Sequence, residues 1–329
     1  MLTPDAKVLV TGGAGFIGSH LVERLLGEGN HVRVFDNFST GRAENLEQVR
    51  EAVGSAAAAR LEVHTGDLRN AADVTKAVQG MSVVFHEAAL GSVERSVEDP
   101  LTTNEVNTTG TLRLLVAARD AGVSRLVFAG SSSVYGEVEG LPKTEEMATI
   151  PMSPYGTTKR DGELYCRQFA MLYGFNSVTV RYFNVFGPRQ NPNSQYAAVI
   201  PIFIDRIMRG EAPIINGDGE QSRDFTYVAN VVDANLLAAK APAESVRGEI
   251  LNMACGTRYS LNQLVALVAG LTGKEVAPQY RAARAGDVRH SEADISRARR
   301  ILGYEPRVSF EEGLRQTVEY FQKSVVPLP

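Results

Sequence analysis

Tyr155 and Lys159 stand four residues apart in Ser153-Pro154-Tyr155-Gly156-Thr157-Thr158-Lys159. Ser153 and Pro154 read as a helix N-cap and first helical residue. The phenol and the ammonium then lie one turn apart on one face. A free phenol has a pKa near ~10, too high for a base at neutral pH. A neighbouring ammonium favours the phenolate and lowers it. Such a pair also arises by chance, as a surface helix pair worth a few tenths of a kcal/mol. A third group gives it direction: Ser131, in Gly130-Ser131-Ser132-Ser133-Val134-Tyr135-Gly136, follows a predicted strand that ends at Ala129. That position is a carboxyl end of the sheet, where ligands sit in open α/β folds. A hydroxyl there can hydrogen-bond a reacting oxygen and relay its proton.

The chain opens with the glycine pattern Gly12-Gly13-Ala14-Gly15-Phe16-Ile17-Gly18. It lies between a predicted strand and a predicted helix, the context a dinucleotide fingerprint needs. Gly12 permits the tight turn, Gly15 lets the backbone approach a pyrophosphate, and Gly18 lets the helix pack close to the sheet. The helix amides then face the phosphates. Asp36, at the end of the second strand, is placed for the adenine ribose hydroxyls. A carboxylate there repels a 2′-phosphate, so NAD is favoured over NADP. Arg33 and Arg42 keep NADP as the lesser alternative. Asp67-Leu68 follows the third strand and is placed for the adenine; read alone, Asp67 is equally a turn aspartate.

The elements that must position these groups alternate. Apolar runs predict strands at Lys7–Thr11, His31–Asp36, Leu61–Thr65, Ser82–His86, Arg125–Ala129 and Ser177–Arg181. Helical patterns lie between them, among them Ser19–Leu26, Gly110–Ala121 and Asp161–Tyr173. Strand-helix alternation implies a doubly wound parallel sheet, the Rossmann form of the α/β class. After about residue 184, Pro188, Pro192, Pro201 and Pro213 break the rhythm, and Asn216-Gly217-Asp218-Gly219 is a turn cluster. The expected division is a NAD-binding domain over 1–183 plus roughly 225–252. A smaller α/β substrate domain takes 184–224 and 253–329.

The 329 residues, 44% of them hydrophobic, suffice for a sizeable core. A net charge of -4 without a basic run argues against a nucleic-acid partner. Cys166 and Cys255 have no metal spacing, so no metal is expected. The first residues lack a signal-peptide pattern, and Val8-Leu9-Val10 is too short to span a bilayer. The expectation is a soluble cytoplasmic protein with no membrane partner.

These motifs together resemble the extended short-chain dehydrogenase/reductases and, within them, the UDP-sugar 4-epimerases. The likeness runs from Val8 to about Tyr320. It is carried by the glycine turn, the Ser131 segment, Tyr155 to Lys159 and Arg181-Tyr182-Phe183-Asn184-Val185-Phe186-Gly187-Pro188-Arg189. Gln221-Ser222-Arg223-Asp224-Phe225 and Arg284-Ala285-Gly286-Asp287-Val288 add to it. The resemblance implies that Tyr155, assisted by Ser131, takes the proton of the sugar 4-hydroxyl while the C4 hydride passes to tightly held NAD. The 4-keto sugar turns over about its diphosphate link and takes the hydride back on its other face. It implies cofactor contacts from Gly12, Gly15, Phe16, Ile17, Gly18, Asp36, Asn37, Asp67, Leu68, Ala88, Ala89, Asn107, Tyr155, Lys159 and Tyr182. Substrate contacts are implied for Ser132, Ser133, Asn184, Ala198, Val199, Arg223, Arg284, Asp287 and Ser291, with the two arginines gripping the diphosphate. A homodimer is implied, paired through helices near 100–120 and 155–172.

Among relatives, the 4,6-dehydratases carry an acid pair where this chain has Ser132-Ser133, and the UDP-glucuronate decarboxylases a Glu at Ser133. UDP-glucuronate 4-epimerases often carry Thr at Asn184; Arg189 keeps a carboxylate-bearing sugar in view. The position of Ser291 resembles a size gate at the sugar C2 substituent. With a small residue there, UDP-GlcNAc and UDP-GalNAc are the expected pair, with UDP-glucose and UDP-galactose also accepted. A catalytically silent NAD-binding scaffold is the alternative of another class, and intact Ser131, Tyr155 and Lys159 argue against it. Glu87, in His86-Glu87-Ala88-Ala89, departs from the family's apolar or amide residue. The expectation is a structural acid turned away from the site; the alternative is that it tunes substrate or pKa.

Overall fold

The computed structural model describes residues 2–192, 198–283 and 288–324. In chain order its first half runs β1 Lys7–Thr11, α1 Phe16–Gly27, β2 His31–Asp36, α2 Ala43–Ala58, β3 Leu61–Thr65, α3 Ala71–Val78, β4 Val83–His86, α4 Val93–Glu98 and α5 Pro100–Asn104. A π-helical turn, Glu105–Thr109, leads into α6 Gly110–Asp120, followed by β5 Arg125–Ser131, α7 Pro154–Tyr173 and β6 Ser177–Tyr182. The second half has β7 Val185–Phe186, α8 Val199–Met208, β8 Ile214–Asn216, β9 Ser222–Arg223, β10 Thr226–Tyr227, α9 Val228–Lys240, α10 Ala243–Val246 and β11 Ile250–Met253. It ends with β12 Tyr259–Ser260, α11 Leu261–Thr272, β13 Gln279–Arg281, β14 His290–Ser291, α12 Ser296–Leu302 and α13 Phe310–Ser324.

Seven parallel strands form the main sheet in the order β11-β6-β5-β4-β1-β2-β3. The order reverses between β1 and β4, the switch point at which such sheets bind ligands. The central strands β1, β4, β5 and β6 are buried almost throughout because both faces are covered, whereas β3 at the edge of the sheet is largely exposed. Side chains alternate between faces. Val8, Val10, Val83, Phe85 and Val127 join a core with α1 and α9, whereas Leu9, Val84, Leu126 and Phe128 join one with α3, α6 and α7.

Five strands end on residues that matter below: Thr11, Asp36, His86, Ser131 and Tyr182. The expected strands are all present, with β5 and β6 running on to these polar tips. The four-residue β11, Ile-Leu-Asn-Met, lies within the irregular half and adds a seventh strand beside β6. Helix α7 begins at Pro154, seven residues before the periodic stretch from Asp161, because Ser153 Oγ accepts the Gly156 amide at 3.1 Å. Gly174 ends it in the left-handed region at φ 63°.

The later elements share a third apolar core, from α8, α11 and α13, in which Phe310 stacks on Phe225 with centroids 5.3 Å apart. Among the described residues no helix is long and apolar enough to cross a membrane, and no cluster of His, Cys, Asp or Glu is arranged to hold a metal.

Candidate active site

The glycine turn is built by contacts that leave no room for side chains. Gly12 has φ +68°, and a Cβ there would lie 2.8 Å from the Ala88 backbone. A Cβ on Gly18 would meet Gly12 O at 2.2 Å, and one on Gly15 would meet the same oxygen at 3.0 Å. The start of α1 is thus pressed onto the turn, and the turn onto the segment after β4. Asp36 is buried at the tip of β2, where its carboxylate accepts the Ala14 amide at 3.0 Å and the Phe38 amide at 2.9 Å. Burial pushes its pKa up, against those hydrogen bonds. Asn37 donates to Asp67 at 2.9 Å. Asp67 also takes two hydrogen bonds from the Arg69 side chain, and that guanidinium holds the carboxyl well below the usual range.

These groups line one cleft of about 500 Å³. Its walls include Gly12, Gly15, Phe16, Ile17, Gly18, Asp36, Asn37, Asp67, Leu68, Ala88, Ala89, Tyr155, Lys159 and Tyr182, fourteen of the fifteen residues expected at a cofactor. Asn107 is the exception. It sits buried in the π-helical turn, where Oδ1 accepts the Leu90 amide at 2.8 Å. Its Nδ2 donates to Leu90 O at 3.2 Å and to Thr158 Oγ1 at 3.1 Å. Asn107 therefore shapes the cleft through the Leu90 backbone and through α7, without lining it.

A buried polar chain stands behind that wall. Thr111 Oγ1 donates to Asn107 O, so it must accept from His86 Nε2 at 2.8 Å. His86 Nδ1 then accepts from Thr11 Oγ1 at 2.7 Å, and Thr11 Oγ1 accepts the Ala88 amide at 3.2 Å. One hydrogen per hydroxyl fixes the Nε2–H tautomer. Burial, with the Lys159 charge, pushes the His86 pKa down to about 3, so the ring is neutral.

Tyr155, Lys159, Glu87 and Tyr182 line the same cleft, and Ser131, which does not itself line it, stands beside Tyr155 at the end of β5. Ser131 Oγ accepts from the Ser133 amide at 3.2 Å and from Ser133 Oγ at 2.9 Å. Its own proton is thereby left for the phenol of Tyr155, which it hydrogen-bonds. Ser133, expected at the substrate, also orients Ser131. Lys159 Nζ donates to Ala129 O at 2.8 Å and stands 6.0 Å from the Tyr155 ring centroid. Burial pushes its pKa down to about 8, against the pull of Glu87 and Glu163. Tyr155 departs from expectation. Burial pushes its phenol up, the Ser131 hydrogen bond pulls it down, and the Glu87 charge pushes it up again. The ammonium is turned to a carbonyl, so the pair by itself does not depress the phenol.

Glu87 corrects a second expectation, since it faces the cleft. Its Oε1 accepts from Tyr182 Oη at 2.8 Å, and Tyr182 Oη accepts from Asn235 Nδ2 at 2.7 Å. Nothing in the sequence pattern marks Asn235, which comes from α9. Behind the site Arg181 forms two hydrogen bonds of 2.8 Å with Glu163, and both are buried.

Of the residues expected at the substrate, Ala198 lines the same cleft and Val199 opens α8. Ser132 begins the short 3-10 turn after β5. Arg223 and Ser291 are brought together as partners in the β9–β14 pairing. Asn184 has φ 36° and donates from Nδ2 to Asp224 O at 3.2 Å. Arg284 and Asp287 lie outside the described residues. Arg189 is pulled back onto α1, where it binds Glu23 and reaches Ser19 Oγ at 3.4 Å, with its side chain 8% exposed.

The NAD dependent epimerase/dehydratase family matches residues 8–254. The UDP-glucose 4-epimerase of Mycolicibacterium smegmatis is 40% identical over 319 residues, covering 96% of this chain and 98% of the relative. The structure of a UDP-N-acetylglucosamine 4-epimerase from Methanobrevibacter ruminantium, in complex with UDP-N-acetylmuramic acid, is 41% identical with a TM-score of 0.90. The likeness covers 98% of this chain and 100% of that one. A Thermus thermophilus UDP-glucose 4-epimerase in complex with NAD is 37% identical with a TM-score of 0.84, over 97% of this chain and 100% of that one. A match of this extent, over the strands and turns that build the cleft, shows that the chain belongs to the NAD dependent epimerase/dehydratase family.

Proposed function

We propose that this protein is a NAD-dependent UDP-sugar 4-epimerase whose leading substrates are UDP-GlcNAc and UDP-GalNAc, with UDP-glucose and UDP-galactose also turned over. The observation that carries the reading is that Tyr155, with Ser131 beside it, and Lys159 share one cleft with the glycine turn and Asp36. The cleft fits NAD. Gly12, Gly15 and Gly18 leave a cradle that a Cβ would fill, and the carboxylate of Asp36 suits ribose hydroxyls and repels a 2′-phosphate. When bound, NAD supplies the acceptor and later the donor of the C4 hydride. Gly12 to Gly18 and the first amides of α1 hold the pyrophosphate. Asp36 and Asn37 hold the adenosine side, and Lys159 the nicotinamide ribose.

Tyr155 takes the proton of the 4-hydroxyl and later returns it, so the reaction leaves no net charge on the chain. Ser131, oriented by Ser133, donates to the phenol oxygen and stabilises its anion. The ammonium of Lys159, turned to Ala129 O, is assigned to the cofactor rather than to the phenol. Arg223 is the guanidinium assigned to the diphosphate. Arg189 is paired with Glu23 on α1, which supports a neutral sugar over one that carries a carboxylate. The exposed Leu101, Leu164 and Met171, on the helices expected to pair, support a homodimer. Light scattering at twice the chain mass is the expected result, and a monomer mass would reject it.

The test incubates purified protein, without added NAD, with UDP-GlcNAc or UDP-glucose and follows the anomeric protons by NMR. C4 epimers are expected from both. Their absence from both redirects attention to UDP-glucuronate and then to a silent scaffold. Ser291, small and half-buried beside Arg223, is the residue assigned as the size gate for an N-acetyl group. Ser291→Tyr is expected to lower kcat/KM for UDP-GlcNAc by about tenfold or more relative to UDP-glucose, in the range that pocket shape discriminates. An equal loss on both sugars would remove the gate.

A further inference from the structure

Glu87 follows the last residue of β4, and its side chain lines the cleft with Tyr155, Lys159 and Tyr182. Its hydrogen-bond network has a direction. Asn235 Nδ2 donates to the backbone carbonyl of Val231 at 2.9 Å, which can only accept, so the amide orientation is set. The other Nδ2 hydrogen goes to Tyr182 Oη at 2.7 Å. The single Tyr182 proton is then aimed at Glu87 Oε1 at 2.8 Å. The whole arrangement presents Glu87 as an acceptor, held in place by α9 and the tip of β6. Its backbone is fixed as well, through Glu87 N donating to Thr11 O at 3.2 Å.

We propose that Glu87 is the counter-ion of the oxidised nicotinamide ring, a fixed carboxylate that offsets the Lys159 charge and holds the bound cofactor toward its oxidised form. The inference rests on the epimerase reading above. In that reaction the carbon whose hydroxyl Tyr155 deprotonates is the carbon that gives up the hydride. The ring therefore lies close to the Tyr155 oxygen, where the Glu87 charge is felt. The ring is positive only when oxidised, so a carboxylate favours that form and an ammonium opposes it. Burial pushes Glu87 up to about 7, while Lys159 and the Tyr182 hydrogen bond pull it down. Arrival of a second positive charge pulls it down further, so the carboxylate is ionised when it is needed. Lys159, Tyr155 and Tyr182 are the titratable groups around it. An epimerase must recover an oxidised cofactor each cycle, and a cofactor stranded in its reduced form ends turnover. A residue that disfavours stranding is useful to this chemistry in particular.

The test poises the holoenzyme against a two-electron redox dye of known potential and reads the reduced fraction from the near-ultraviolet absorbance of the reduced ring. Glu87→Gln keeps the shape and removes the charge. It is expected to shift the bound couple about tenfold toward the reduced form, the scale of one nearby charge in a partly buried site. For a two-electron couple that is about 30 mV. Glu87→Asp keeps the charge and is expected to stay within about threefold of the parent protein. Tyr182→Phe removes the donor that supports the carboxylate and is expected to shift the couple the same way by less. No shift in Glu87→Gln, an equal shift in the Gln and Asp variants, or a shift of Tyr182→Phe toward the oxidised form would overturn the proposal. Epimer formation by the parent protein is read separately by NMR, so failure of the epimerase reading would show there.

Discussion

Tyr155→Phe is expected to lower the kcat of epimerisation by about a hundred- to ten-thousand-fold, the usual worth of a positioned proton-transfer group. Cofactor content should stay that of the parent protein. The ring remains, so the packing of α7 against the cleft is kept. The Ser153 cap and the Lys159 bond to Ala129 do not involve the phenol oxygen. Only the proton acceptor is removed. NMR rates and the NAD content of denatured protein check both halves; a variant that turns over at near-parental rate would take the base assignment from Tyr155. The sign of the pH dependence follows from the site. Burial and the Glu87 charge hold the phenol up, and the Ser131 hydrogen bond opposes them. The rate should therefore climb as pH rises through the phenol's titration. Removing the Glu87 charge lowers that pKa, so Glu87→Gln should move the rising limb to lower pH.

The second large effect is expected at Gly18. A Cβ there meets Gly12 O at 2.2 Å, Gly12 C at 2.9 Å and Gly13 Cα at 2.9 Å. All three are backbone atoms, so no side chain can move aside. Gly18→Ala must push α1 off the turn, at a cost of about 1–3 kcal/mol or more. It also displaces the amides that receive the pyrophosphate. The purified variant should carry little NAD and melt several degrees below the parent. Gly27 closes the same helix, and a Cβ there meets nothing within 4 Å. Gly27→Ala should retain NAD and match or slightly exceed parental stability. Equal NAD retention in both variants would show that the close approach at Gly18 is not what shapes the cradle.

The sheet was legible because its strands are short apolar runs closed by glycines or polar tips, as in Lys7-Val8-Leu9-Val10-Thr11. The glycine turn and the Tyr155–Lys159 pair were legible because each depends on local spacing alone. What escaped depended on direction across the fold. Ile250–Met253 is too short to show a period, and only its pairing with β6 makes it a strand. Glu87 gives no sign in sequence that Tyr182 and Asn235, 95 and 148 positions onward, turn it into the cleft. The Lys159 ammonium is one turn from Tyr155, yet Ala129 O claims it. That Ser133 orients Ser131 was not legible either, because nothing local reveals that both its amide and its hydroxyl point at Ser131.

Asn107 gives the site a common datum. One amide grips the Leu90 backbone of the cofactor-facing wall, and the same amide grips Thr158, whose hydroxyl donates to Tyr155 O. Wall and catalytic helix are thus both referenced to a single side chain, itself anchored through Thr111 and His86 to the sheet. Positional errors between the two do not accumulate along the chain, although Leu90 and Thr158 are 68 residues apart. In the proposed reaction the hydride path is set by the wall and the proton path by the helix. A shared reference keeps the two paths in step when either element moves.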